Sequence, residues 1–263
     1  MKILRIYWGK SIGNRSSLSS HSPHLQPARA ILNPRSLQLL KKSMIATSLT
    51  PTSSKITLWQ PANWADYEQQ RDKSEASDRH RLYFHNGYLR INDMGWEGIG
   101  HARVHDLFTA ILTIWFLLHP DQKAETFGGA LLEKPGYQAA APDLILYLGD
   151  GAPTWKEGQS RRIDLNTWRI PDLVGEVSDT TLAVDLDEMK QLYAALGIPE
   201  YWVINLKGRQ VLAFGIQENG KYQPIETSLN LTGLPIALLE QTLDRLTEES
   251  NISAAQWFMK TLV

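Results

Sequence analysis

The sequence predicts an α/β (α+β) protein, a sandwich of strands packed with helices. Two short apolar runs, Pro142–Leu148 (PDLILYL) and Pro171–Val177 (PDLVGEV), carry hydrophobic residues on both parities, as strands covered on both faces do. Before them, Gly100–His119 sets Val104, Leu107, Phe108, Ile111, Leu112 and Trp115 on a 3.6-residue period. After them, Leu234–Glu248 repeats a helical pattern. Strands between amphipathic helices bury both kinds of apolar face only in layers.

In chain order, Trp64–Asp72 reads as a short amphipathic helix. Arg81–Ile91 reads as a hairpin, because Asn86-Gly87 supplies the two positive-φ positions of a tight turn between apolar flanks. The Gly100–His119 helix is closed by Pro120. Gly149–Ile170, between the two Pro-Asp strands, is a long loop rich in Gly, Trp and charge, and loops of that length are commonly functional or disordered. Asp185–Leu196 is a helix with Gly197 suited to a left-handed cap. Tyr201–Asn205 and Gln210–Gly215 form a second hairpin about Lys207-Gly208. Pro235 suits the first turn of the Leu234–Glu248 helix, and Ala254–Leu262 is a last short one.

Composition excludes several classes. The chain of 263 residues has no cysteine, so it holds no disulfide framework, thiolate zinc site or cysteine nucleophile. Its longest apolar run, Leu107–Leu118, is too short for the roughly 20 residues of a membrane-spanning helix, which suggests a cytoplasmic protein. The formal net charge of −1 hides a split. Residues 1–65 carry nine basic residues and no acid, and the remainder carries 18 basic against 28 acidic residues, a net −10. So acidic a body does not coat nucleic acid by charge alone. A DNA binder would need a local basic patch, for which Arg161, Arg162, Arg169, Lys207 and Arg209 are available.

The split divides the chain into an N-terminal extension, residues 1–55, and a working domain, residues 60–250. The extension is Ser- and Arg-rich and acid-free, which fits a transit peptide, a disordered tail, or a start codon placed ahead of a true first residue at Met44. Truncation to Met44 is expected to leave the fold intact. Gly9-Lys10-Ser11-Ile12-Gly13 matches the G-x-S-x-G pattern but lacks the helix that must follow a nucleophile elbow. Leu4 stands where a phosphate-binding loop needs glycine.

Glu176 is the anomaly of the body. It lies inside an apolar strand, on the face of Val174, where a carboxylate is costly unless paired or bound to metal. Asp143 heads the companion strand. If the strands are neighbours, the two acids converge at one end of the sheet as hard-oxygen ligands for Mg²⁺ or Mn²⁺ rather than zinc. Asp172, also after proline, reads better as a strand starter. Lys190, in the following helix with Tyr193 at i+3, is a candidate cation for the pair, or else a solvated lysine beside Glu188. His101 and His105 share a helix face and could bind a metal, although Ala102 leaves the H-E-x-x-H pattern unmet.

Pro171-Asp172-Leu173-Val174-Gly175-Glu176-Val177-Ser178, Lys190-Gln191-Leu192-Tyr193 and Gly197-Ile198-Pro199-Glu200-Tyr201-Trp202-Val203-Ile204 together resemble the bacterial restriction endonuclease family within the PD-(D/E)XK nuclease superfamily. The resemblance spans roughly residues 60–220. It implies a restriction endonuclease-like fold, a central mixed sheet flanked by helices, and a metal-dependent endonuclease acting on DNA, with Mg²⁺ or Mn²⁺ held by Asp143, Glu176 and a backbone carbonyl, and with Lys190 as the active-site lysine. Ser178 stands where the superfamily usually has that lysine, so the helix would supply it. Gly175 and Asp179 also depart from the commoner aliphatic residue and proline. Glu97, His101 and Tyr193 are accessory candidates. A homodimer suits an enzyme that cuts both strands. The competing expectation is a catalytically inactive DNA-binding or regulatory module on the same scaffold.

Overall fold

The computed structural model describes residues 58–75, 80–93, 98–159 and 162–263. The readings made on residues 1–55, on Glu97 and on Arg161 lie outside the described residues. The elements are β1 (Gln60–Pro61), α1 (Trp64–Glu75), β2 (His80–His85), β3 (Tyr88–Asp93), α2 (Ile99–Leu118), β4 (Ala124–Phe127), β5 (Leu132–Lys134), β6 (Gln138–Ala140), β7 (Leu144–Leu148), β8 (Ile163–Asp164) and β9 (Leu173–Ser178). Then come α3 (Leu182–Val184), a π turn (Asp185–Met189), α4 (Lys190–Leu196), β10 (Glu200–Asn205), β11 (Gln210–Ile216), β12 (Tyr222–Pro224), α5 (Ile236–Asp244) and α6 (Asn251–Leu262).

Among the described residues the fold is mixed α/β, as expected, with two sheets where one central sheet was predicted. One runs β12-β11-β10-β9-β7-β4 and the other β1-β3-β2-β6-β5-β8. The β2–β3 hairpin of the second sheet is the one expected from Asn86-Gly87, but its other strands escape sequence reading, because β5 and β6 are three residues each and β1 and β8 two, too short to show a period. The two Pro-Asp strands are neighbours: β7 pairs β9 antiparallel, and β9 pairs β10 in parallel.

Alternation in the first sheet sorts its side chains between two cores. Leu144 and Leu146 of β7, and Leu173 and Val177 of β9, pack on one face with the α2 stripe and with α5 and α6. The six α2 residues read from the periodicity are the six that are buried, each fully buried Leu or Ile contributing about 1.5–3 kcal/mol. Phe108 meets Trp202 edge-on at 6.3 Å. The opposite parity, Ile145, Tyr147 and Val174, packs with Leu192, Tyr193 and Leu196 of α4 and with Tyr83, Leu132 and Ala140 of the second sheet. Glu176 has Val174's parity and therefore points into this inter-sheet layer.

Turn chemistry agrees with the sequence. Asn86 (φ 50°) and Gly87 (φ 78°) make the first hairpin turn, and Gly197 (φ 80°) caps α4 by donating its N–H to Tyr193 and Ala194 carbonyls. Asp172 does start its strand structurally: its Oδ2 accepts from the Leu148 N–H at 2.6 Å and from Arg169 at 2.8 Å. The expected single helix from Asp185 is instead α3, the π turn and α4 in succession. Glu133 on β5, a buried carboxylate away from the two Pro-Asp strands, accepts from the Tyr67 hydroxyl (2.6 Å), Arg71 (2.9 Å) and Arg162 (2.8 Å), tying α1 to the second sheet.

Candidate active site

The β7–β9 register pairs Leu144 with Gly175. One residue further along, Asp143 falls opposite Glu176, where cross-strand Cβ atoms are typically about 4.5–5.5 Å apart. Gly175 permits this approach, since a Cβ there would stand 3.3 Å from Leu144 Cδ1. Both acids are buried, at 2% and 5% exposure, and both line a cavity of about 150 Å³ between the sheets. Arg81, Tyr83, Arg90, His101, Asp185 and Met189 are among the other residues that line it.

Asp143 is held from three directions. Arg81 of β2 donates to Oδ1. The Val177 N–H donates to Oδ2 at 2.7 Å, and His101 Nε2 lies 3.2 Å from the same oxygen. A carboxylate only accepts, so His101 carries its proton on Nε2. His105, one turn along α2, sets its Nε2 3.2 Å from the Asp143 carbonyl oxygen. The histidine pair weighed as metal ligands thus clasps the acid and its backbone. Burial opposes ionisation of Asp143, but the His101 hydrogen bond, the Arg81 charge and the Val177 N–H outweigh it and hold its pKa at about 2.

Glu176 has the opposite bias. Burial, then the charges of Asp143 and Asp185, push its pKa well above the usual carboxylate range, against the pull of Arg81 and of the Tyr193 hydroxyl. That hydroxyl donates to Oε1 at 2.5 Å. Asp185, in the π turn, is also raised, chiefly by burial, although Thr181 Oγ1 donates to it at 2.6 Å. Two acids of unlike pKa on adjacent strands are a common signature of a functional site.

Of the residues predicted from sequence, Asp143, Glu176, His101 and Tyr193 are brought together. Lys190 is not among them. Its Nζ sits 3.8 Å from the centroid of the Phe214 ring, and Met189 lines the cavity instead. Successive helical residues point about 100° apart, and that step turns Lys190 toward Phe214 while Met189 faces the cavity. The described members of the proposed basic patch are engaged by acids: Arg162 with Glu133, Arg169 with Asp172, Lys207 with Asp179 and Arg209 with Asp244.

Arg81, Arg90 and Asp185 were missed. A signal for the arginines was present, because Arg81 shares the inward parity of Tyr83, and Arg90 is Tyr83's cross-strand partner. Asp185 gave none beyond a helix start, because the π turn that aims it leaves no trace in the residue pattern.

Asp143, Glu176 and Asp185 offer hard carboxylate oxygens in one cavity, a donor chemistry that fits Mg²⁺ or Mn²⁺. Among the described residues no three such side chains form a ready metal cage. Arg81 holds Asp143 Oδ1, so the donors fit an ion once that oxygen is released.

The layered sheets thus present two acids from adjacent strands into a shared cavity. Residues 64–248 match the family model "Uma2: Putative restriction endonuclease", and the chain belongs to that family. Among solved structures it is similar to a protein titled a putative nuclease belonging to DUF820 from Anabaena variabilis ATCC 29413, with 15% identity, 67% of this chain and 90% of that chain covered, and a TM-score of 0.39. No curated protein matches the chain. No helix among the described residues is long and apolar enough to cross a membrane.

Proposed function

We propose that this protein is a metal-dependent endonuclease that hydrolyses phosphodiester bonds in DNA. The observation that carries the reading is Asp143 opposite Glu176 on neighbouring strands, both buried and both lining one cavity. Membership of the family supports nuclease chemistry in general. Asp143 and Glu176 would hold Mg²⁺ or Mn²⁺, with Asp185 within the same cavity. When bound, the ion supplies an acidified water and offsets charge on the phosphate.

The chain's own groups do the positioning. The Val177 N–H and His101 fix the Asp143 carboxylate, and Tyr193 fixes that of Glu176. Such preset donors act without reorganising during the reaction. Lys190 has no part in this reading, because its ammonium lies over Phe214. The test is plasmid DNA with purified protein and Mg²⁺ or Mn²⁺. Cleavage that disappears in Asp143→Ala and Glu176→Ala supports the proposal, and no metal-dependent cleavage of any DNA substrate rejects it.

A second reading rests on a specific observation: the cation against Asp143 is an arginine already paired with it, and the helix presents Met189 rather than lysine. On that reading the protein is a non-catalytic DNA-binding or regulatory module. DNA retained in a mobility-shift assay, intact after incubation with metal, would favour it.

A further inference from the structure

The cavity wall opposite the acids is built by the β2–β3 hairpin, which sends Arg81 and Arg90 inward beside Tyr83. Arg81 is 16% exposed and donates to Asp143 Oδ1, while the other oxygen of that carboxylate is committed to His101 and Val177. Oδ1 is therefore the oxygen that a divalent cation must share or take. A guanidinium and a divalent cation repel one another, so the two compete for it. Displaced by the width of an ion, the guanidinium stays in the cavity that a phosphate would enter, with a planar fork matched to phosphate oxygens.

We propose that Arg81 has two posts: counter-ion of Asp143 when no metal is bound, and catalytic cation on the scissile phosphate once metal takes Oδ1. It thereby fills the place expected for a lysine. The inference rests on the metal-dependent reading above and adds a competition that this reading alone does not require.

The test is titration of the full chain with Mn²⁺ by calorimetry, alongside plasmid cleavage, for wild type, Arg81→Gln and Arg81→Lys. Removing the competing charge should make Arg81→Gln bind Mn²⁺ about tenfold more tightly while its kcat falls about 100-fold, the scale of losing one transition-state donor. Arg81→Lys should keep Mn²⁺ affinity within about threefold of wild type and lose kcat through the lost fork. Equal or weaker Mn²⁺ binding by Arg81→Gln, or tighter binding with unchanged kcat, overturns the proposal. If neither wild type nor Arg81→Gln binds Mn²⁺, the metal-dependent reading falls with it. If Arg81→Gln does not fold, wild type provides the readout: Mg²⁺ should shift the one ¹⁵N guanidinium signal that is missing from Arg81→Lys, and no shift overturns the proposal.

Discussion

The backbone N–H of Val177 lies 2.7 Å from Asp143 Oδ2, so the residue that follows one acid holds the other. The two carboxylates are one unit, because moving either strand by one residue would break both the hydrogen bond and the facing of Asp143 and Glu176.

Asp143→Asn should therefore cost both activity and stability. It removes the charge that Arg81 faces, and breaking a buried pair on one side commonly costs about 3–5 kcal/mol. The wild-type Asp143 pKa of about 2 lies below its unfolded value. Its contribution is thus full above the unfolded pKa and is lost as pH falls toward 2. Urea unfolding should show the largest difference from wild type near pH 7 and a shrinking one below about pH 4.

Glu176→Gln should behave in the reverse sense. The folded-state pKa of Glu176 is raised, so the native chain keeps a proton that the unfolded chain has released. Wild-type stability then declines as pH rises above the unfolded value. In EDTA, the stability of Glu176→Gln relative to wild type should grow from pH 5 to pH 7, by at most about 1.4 kcal/mol per pH unit. A flat difference would mean that Glu176 is ionised in the folded protein.

Lys190→Ala should leave the cleavage rate within about twofold of wild type. It forfeits a cation–π contact with Phe214 worth about 0.5–1 kcal/mol. A 100-fold loss measured on plasmid DNA would return the lysine to the chemistry.

Glu133→Gln should destabilise the fold by about 3 kcal/mol without touching the acids, because it strips the carboxylate from Tyr67, Arg71 and Arg162. Guanidinium unfolding combined with an unchanged Mn²⁺ affinity would separate it from the site variants.

A chain starting at Met44 should melt within about 2 °C of the full chain. The compact unit that holds the described residues runs from Lys55 to Val263. A larger drop in the melting temperature would give the first 43 residues a structural role.

Most of the fold was legible wherever periodicity had room to express itself. The α2 stripe, the Asn86-Gly87 turn, the Gly197 cap and the strand pair bearing Asp143 and Glu176 all follow from spacing and backbone chemistry. The second sheet beyond its β2–β3 hairpin did not, because its short strands are recruited by neighbours distant in sequence rather than by their own pattern. The acids stood out as charges inside apolar runs. Arg81 carried the same anomaly but was hidden by the exposure expected of a hairpin. Lys190 lies over Phe214 rather than in the cavity because a one-residue difference in helical phase separates it from Met189, and residue identity alone does not set that phase.

The bonds around Asp143 also bear on how the molecule assembles. Arg81, His101 and Val177 lie 62, 42 and 34 residues from it along the chain. Contacts across such separations wait on the closure of long loops and form late relative to local turns. The acid pair consequently gains its counter-ion only after the hairpin has docked against the Pro-Asp strands. Until then Asp143 lacks the charge that offsets its burial, which favours completion of the inter-sheet layer over any partly joined form.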